Sequence, residues 1–239
     1  MGRLIVLFIF GFIGLSLRYI FLGEFEGSQL LLLLMLPAGS VILLFIMKWQ
    51  YNKDRDFLPV QGENHLSTRL GDRVSTTTKQ LYKGETSIGT YHRVYNSWWK
   101  RVIADVLDNP GQWYLNLSFS LANNDQVMFQ QKGENKIRGN KYWVVYHNEQ
   151  RAGTIQTDYS LKNSAKLKES LFLEVGKNTY QFKSSGMNAK TEINRDDRTV
   201  ATGDRTMNSV YQLIMHSDDE PTPELLFMAF ILFNYEFSQ

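Results

Sequence analysis

Residues 225–233 read LLFMAFILF, nine successive positions without a polar side chain. Thr222 suits an N-cap, Pro223 the first helical position, and Glu224 the positive end of the helix dipole, so a helix is expected to start there. A helix that is apolar on every face has to be surrounded, either by lipid or by protein. Even when Tyr235 and Phe237 extend it to thirteen residues, the run falls short of the roughly 20 needed to cross a bilayer and matches the length of buried core helices. The rest of the chain therefore has to supply an enclosure.

That enclosure is expected to be β. In QWYLNLSFSL, residues 112–121, Trp113, Leu115, Leu117, Phe119 and Leu121 alternate with polar or interfacial residues, a period of two that a helix cannot use. Similar segments follow at SIGTYHRVY, QVMFQQ, KYWVVYH, RAGTIQTD, SLFLEV, TYQFKS, AKTEIN, RTVATG and SVYQLIM. Turn formers such as Asn123-Asn124-Asp125, His147-Asn148-Glu149, Gly176-Lys177-Asn178 and Asp196-Asp197 separate them. The spacing predicts an antiparallel barrel or sandwich over residues 79–239. A barrel of ten to twelve strands is wide enough to hold a helix. One amphipathic helix interrupts the strands at SWWKRVIADVLDNPG, with Ser97 as its N-cap and Trp99, Ile103, Val106 and Leu107 as its apolar stripe.

Two longer apolar runs precede the strands. Residues 4–22 contain one charge, Arg18, and residues 30–47 contain none, so both approach the length of a membrane span. No small-residue cleavage site separates the runs, which favours a retained hairpin over a signal peptide. Arg18 lies near the end of the first run, where it is expected to snorkel. Arg3, Lys48, Lys53 and Arg55 flank the hairpin on one side with Trp49 and Tyr51, while Glu24 and Glu26 occupy the connector. By the positive-inside rule, both termini face the cytoplasm. The expected organisation is a transmembrane hairpin over 1–51, a juxtamembrane linker over 52–78 that gives reach from the bilayer, and a barrel over 79–239.

An antiparallel barrel closed around a hydrophobic C-terminal helix resembles the tubby C-terminal-like superfamily, which includes tubby, the plant LURP-one-related proteins and the phospholipid scramblases. The resemblance rests on KYWVVYHNEQRAGTI and SLFLEVGKNTYQFKS as consecutive hairpins and on ELLFMAFILFNY as the core helix. It implies a mainly β, antiparallel barrel closed around the C-terminal helix. Tubby members bind phosphoinositides through basic residues, and no residue here is matched to that site.

The chain offers little for catalysis. With no cysteine there is no disulfide framework, thiolate nucleophile or Cys-based zinc site. His65, His92, His147 and His216 lack metal-spaced partners, and no P-loop, GxGxxG, GxSxG or HExxH motif occurs. No enzyme activity or cofactor is expected. After position 48 the chain carries 23 of its 26 basic and 22 of its 24 acidic residues, a balance that does not suit a nucleic-acid surface. The expected partners are membrane lipid, through two spans, and a membrane protein.

The candidate lipid-binding residues are Lys132, Lys136, Arg138 and Lys141 in KGENKIRGNK and Lys162, Lys166 and Lys168 in LKNSAKLKE. Each basic side chain near an anionic bilayer contributes about 1 kcal/mol. Trp98, Trp99, Lys100 and Arg101 are candidates for the bilayer interface, although a helix capping one end of the barrel is the favoured reading of this segment. The leading expectation is a non-enzymatic module that presents the barrel at the cytoplasmic face of the cell membrane. Scramblase-like lipid handling and an inhibitor- or immunity-type protein-binding module are the alternatives.

Overall fold

The structure is a computed structural model and describes residues 2–57, 59, 65–107, 112–133, 139–159, 168–185, 190–206, 209–216 and 222–237. Two long helices come first, α1 (Gly2–Leu22) and α2 (Gly27–Arg55). They pack on each other as an antiparallel pair, and both are long and apolar enough to cross a membrane. Arg18 does not merely snorkel: its guanidinium lies 2.6 Å from Glu26 and 3.0 Å from Glu24, so the acidic connector neutralises it.

Twelve strands then form a closed antiparallel barrel in which every strand pairs with its neighbours in sequence and the last returns to the first. They are β1 (His65–Arg69), β2 (Lys79–Lys83), β3 (Thr86–Val94), β4 (Asn116–Leu121), β5 (Gln126–Lys132) and β6 (Tyr142–His147). The barrel continues with β7 (Gln150–Thr157), β8 (Lys168–Val175), β9 (Asn178–Ser185), β10 (Thr191–Arg195), β11 (Arg198–Thr206) and β12 (Val210–Met215). Closure is made by β1 on β12, with Leu66 opposite Leu213. At one end the strands join through tight turns. Asn148 and Glu149, and likewise Asp196 and Asp197, all have positive φ, as two-residue type I′ turns require.

The core helix α4 (Pro223–Phe237) fills the barrel, with Leu226 through Glu236 all buried. Tyr91 stacks on Phe119 along the wall at 5.5 Å, and Phe182 meets Phe233 of the helix across the gap at 6.3 Å. On the core helix the buried amide of Asn234 donates from Nδ2 to the Phe230 carbonyl at 2.7 Å, which partners one of its donors. Gly203 on β11 sets the depth of the helix, because a Cβ there would lie 2.2 Å from the Phe230 ring.

Three sequence expectations shift. The strand read over 112–121 begins only at Asn116, because Tyr114 takes φ 53° and turns its ring edge-on to Trp99 at 5.7 Å. The linker over 52–78 is no free tether, since α2 runs to Arg55 and β1 occupies 65–69 within the barrel wall. The barrel accordingly starts before residue 79. Finally, β2, which carries no long apolar alternation, is a strand that the sequence spacing did not single out.

Candidate functional site

The two ends of the barrel differ. The tight turns and the start of α4 occupy one, whereas the long connections after β1, β3, β5 and β7 leave from the other. Both N-terminal helices attach to this second end. Near the end of α2, Asp54 is 4% exposed; its carboxylate lies 3.3 Å from the Arg69 guanidinium and accepts the Gly71 N–H at 3.3 Å. The approach depends on glycine, as a Cβ on Gly71 would sit 2.8 Å from Oδ1 of Asp54. At the start of α1, the Gly2 N–H donates to Asp105 at 2.7 Å, and Arg3 donates to the carbonyls of Val106 and Leu107.

Asp105 and Val106 belong to α3 (Trp98–Val106), so the first membrane-length helix rises directly from this short amphipathic one. Ser97 stands at its N-cap in extended conformation, with its carbonyl accepting the Lys100 N–H at 3.2 Å. Ala104 is the residue α3 buries, while Trp98 is 80%, Val102 47% and Trp99 43% exposed. Of the expected apolar stripe, Trp99 is partly exposed and meets the Tyr114 ring edge-on. Lys100 reaches back over the Trp99 and Tyr114 rings, at 5.6 and 5.3 Å.

Beneath these surface elements the barrel end is sealed by buried charge. Arg93 points inward from β3 and is fully buried. It donates to the carbonyls of Arg73, at 2.6 Å, and Trp113, and its guanidinium lies 4.8 Å from the Tyr95 ring. Burial pulls the Arg93 pKa down from the usual arginine range. Tyr95 donates to the Val74 carbonyl at 2.9 Å, and burial pushes its phenol up to about 12. Together they staple the connection between β1 and β2 across the opening. At the last turn of α4, buried Glu236 pairs with Lys141 at 2.7 Å and accepts the Tyr159 hydroxyl at 2.6 Å. Burial raises the Glu236 carboxyl above the ordinary range, and Lys141 opposes that shift.

The expected lipid-binding residues are thereby sorted. Lys132 is exposed at the end of β5. Lys141 is not available for a headgroup: its side chain is 14% exposed and its ammonium is committed to Glu236. Lys136, Arg138, Lys162 and Lys166 lie outside the described residues, and Lys168 opens β8 with only its backbone described. The strands that carry both basic segments end at the side of the barrel where α1, α2 and α3 meet. Asp54, Arg93, Asp105 and Glu236 carry the geometry of this end, and sequence reading singled out none of them. Glu236 alone left a signal, since a carboxylate one turn beyond an all-apolar core helix is carried inside and requires a cation.

Among the described residues no group of three or more His, Asp or Glu is placed to hold a metal ion. A closed twelve-stranded antiparallel barrel around a buried C-terminal helix, with one end sealed by charge bound to backbone carbonyls, defines the class of scaffold. The chain belongs to the Tubby C-terminal like domain family, whose model matches residues 68–236. Domains of this family are generally non-enzymatic and bind lipids or proteins. No curated protein and no solved structure matches the chain.

Proposed function

We propose that the chain is a non-enzymatic, membrane-anchored module. Its two N-terminal helices span the cell membrane, both termini are cytoplasmic, and the barrel sits against the cytoplasmic leaflet with the α3 end toward anionic lipid. The observation that carries this reading is the attachment of both membrane-length helices to the barrel end where Trp98, Trp99 and Val102 stand exposed. A bilayer around α1 and α2 brings its interface level with α3, where indole rings partition well and Lys100 and Arg101 meet anionic headgroups. Lys132 and the two basic segments leave the barrel on the same side. The buried Asp54 contact holds that face in place instead of letting it swing on a tether.

The test uses the full chain in vesicles of phosphatidylcholine and phosphatidylglycerol that contain brominated acyl chains. Tryptophan emission should be quenched, and Trp98→Phe with Trp99→Phe should remove most of the quenching without lowering thermal stability. Quenching that survives this double change, beyond the part due to Trp49, rejects interfacial docking of α3. Raising the anionic fraction should deepen quenching in the parent chain but not in a Lys100→Gln, Arg101→Gln variant. A bilayer response independent of anionic content rejects the lipid preference.

A further inference from the structure

The opposite end of the barrel is not sealed. A cleft of about 590 Å³ opens there between the first turns of α4 and the inner wall from β3 to β8, which is within the size range of small-molecule pockets. Its existence follows from the side chains. Phe230 presses toward β11 and β12, into the space that Gly203 leaves and against Tyr211 at 6.4 Å. On the other side of the helix the wall at this level carries aliphatic side chains and no aromatic ring, Ile88, Leu121, Val127, Val145, Ala152 and Val175, facing Leu225 and Met228. Nearer the middle of the barrel, Phe119, Phe129 and Trp143 fill the same wall. The helix therefore lies off-centre, and the unfilled space is apolar.

The rim is one-sided in charge. Asp125 and Glu224 line the opening with His147, which lies 3.4 Å from Asp125, and among the described residues no lysine or arginine lines it. Asp125 is held ionised: hydrogen bonds from Asn148 and Asn123 and the neighbouring His147 pull its carboxyl below the usual range. Glu224 is half-buried, and among the described residues its carboxylate has no hydrogen-bond or ion-pair partner. An apolar chamber with two carboxylates at its mouth selects against anions, whose desolvated charge would meet Glu224 and Asp125.

We infer that this cleft is a binding site for a small cationic amphiphile, with the apolar body between Met228 and the β5–β8 wall and an ammonium or guanidinium group at Glu224. The site lies at the far end from α3 and does not depend on how the barrel meets lipid.

The full chain, held in phospholipid nanodiscs and labelled with ¹³C at methionine methyl groups, permits a direct test with octylammonium. The Met228 resonance, assigned by its loss in Met228→Leu, should shift saturably. Met35 and Met47 in α2 report simple partition of the probe into the bilayer. Octanoate should produce no saturable Met228 shift, and Glu224→Gln should weaken octylammonium by about tenfold or more, the loss expected for a hydrogen bond to a charged group. Ala152→Leu, which fills the chamber, should abolish the shift. A Met228 response that never saturates, that is equal for octylammonium and octanoate, or that is unchanged by Glu224→Gln overturns the assignment. Because Trp98 and Trp99 take no part, failure here leaves the bilayer reading intact, and failure there leaves this one intact.

Discussion

Asp54 and Gly71 show how much of the geometry rests on single contacts. A carboxylate that is almost wholly buried keeps its charge only if a cation and a donor meet it, and removing one member of such a pair costs about 3–5 kcal/mol. Gly71→Ala places a Cβ 2.8 Å from Oδ1 of Asp54 and should push the carboxylate off the Gly71 N–H. Thermal stability should fall, and amide hydrogen exchange at Arg69 and Gly71 should accelerate; unchanged exchange would show that α2 does not dock through Asp54. Glu236 gives a pH-dependent case. Its folded-state pKa lies above the ordinary carboxylate range, so its contribution is complete below that range and is lost as pH rises through the raised value. Lys141→Met leaves the ionised form unpaired and should destabilise the protein strongly at pH 8 but much less at pH 5, measured by denaturant unfolding. An equal loss at both pH values would contradict the pairing. The sequence showed Lys141 as part of a basic loop because Glu236, its partner, is 95 positions away. Asp54 and Arg69 hid in what looked like a linker for the same reason: charge pairing across a fold leaves no local pattern.

At the scale of elements, legibility followed burial on one face. The strands whose inner residues are large and whose outer residues are polar, such as β4 through β9, announce themselves by alternation. β1 does not, because its pattern is buried almost throughout: Leu66 and Thr68 face inward, and Ser67 and Arg69 on the outer side are covered as well. The overrun of β4 has a different cause, the left-handed Tyr114, which alternation cannot detect. The core helix was the most legible element because its uniform apolarity admits no exposed face. Its seat is testable through Gly203. Adding a methyl there should cost about 1–3 kcal/mol through overpacking, and Phe230→Leu, itself destabilising, should cost less in the Gly203→Ala background than alone. Strict additivity of the two changes in unfolding free energy would mean that the ring does not occupy the space beside Gly203.

For the whole molecule, the anchored reading fixes which surfaces meet which compartment. With no native cysteine, single replacements report sidedness cleanly. Phe25→Cys in the exposed connector should react with a membrane-impermeant maleimide added to intact cells, and Lys177→Cys at a barrel turn only after lysis. The reverse pattern would invert the assigned orientation. The apolar helices and the composition made the membrane reading visible in the sequence, whereas the fixed attitude of the barrel arises from contacts between segments about a hundred residues apart, Gly2 and Arg3 with Asp105 to Leu107. Closure of the barrel has a further consequence for biosynthesis. The seam joins β1 to β12, and the helix that fills the interior follows every strand in chain order. A growing polypeptide thus delivers its two long apolar helices first and exposes a dozen strands while their filling is still untranslated. The seam is the non-local pairing and the filling comes last, features that slow folding and favour aggregation, so the nascent chain is expected to need shielding until translation passes Phe237. A premature stop codon before Pro223 would leave strands without their filling, and on the anchored reading a membrane-bound hollow sheet for quality control to remove, not a partly active protein.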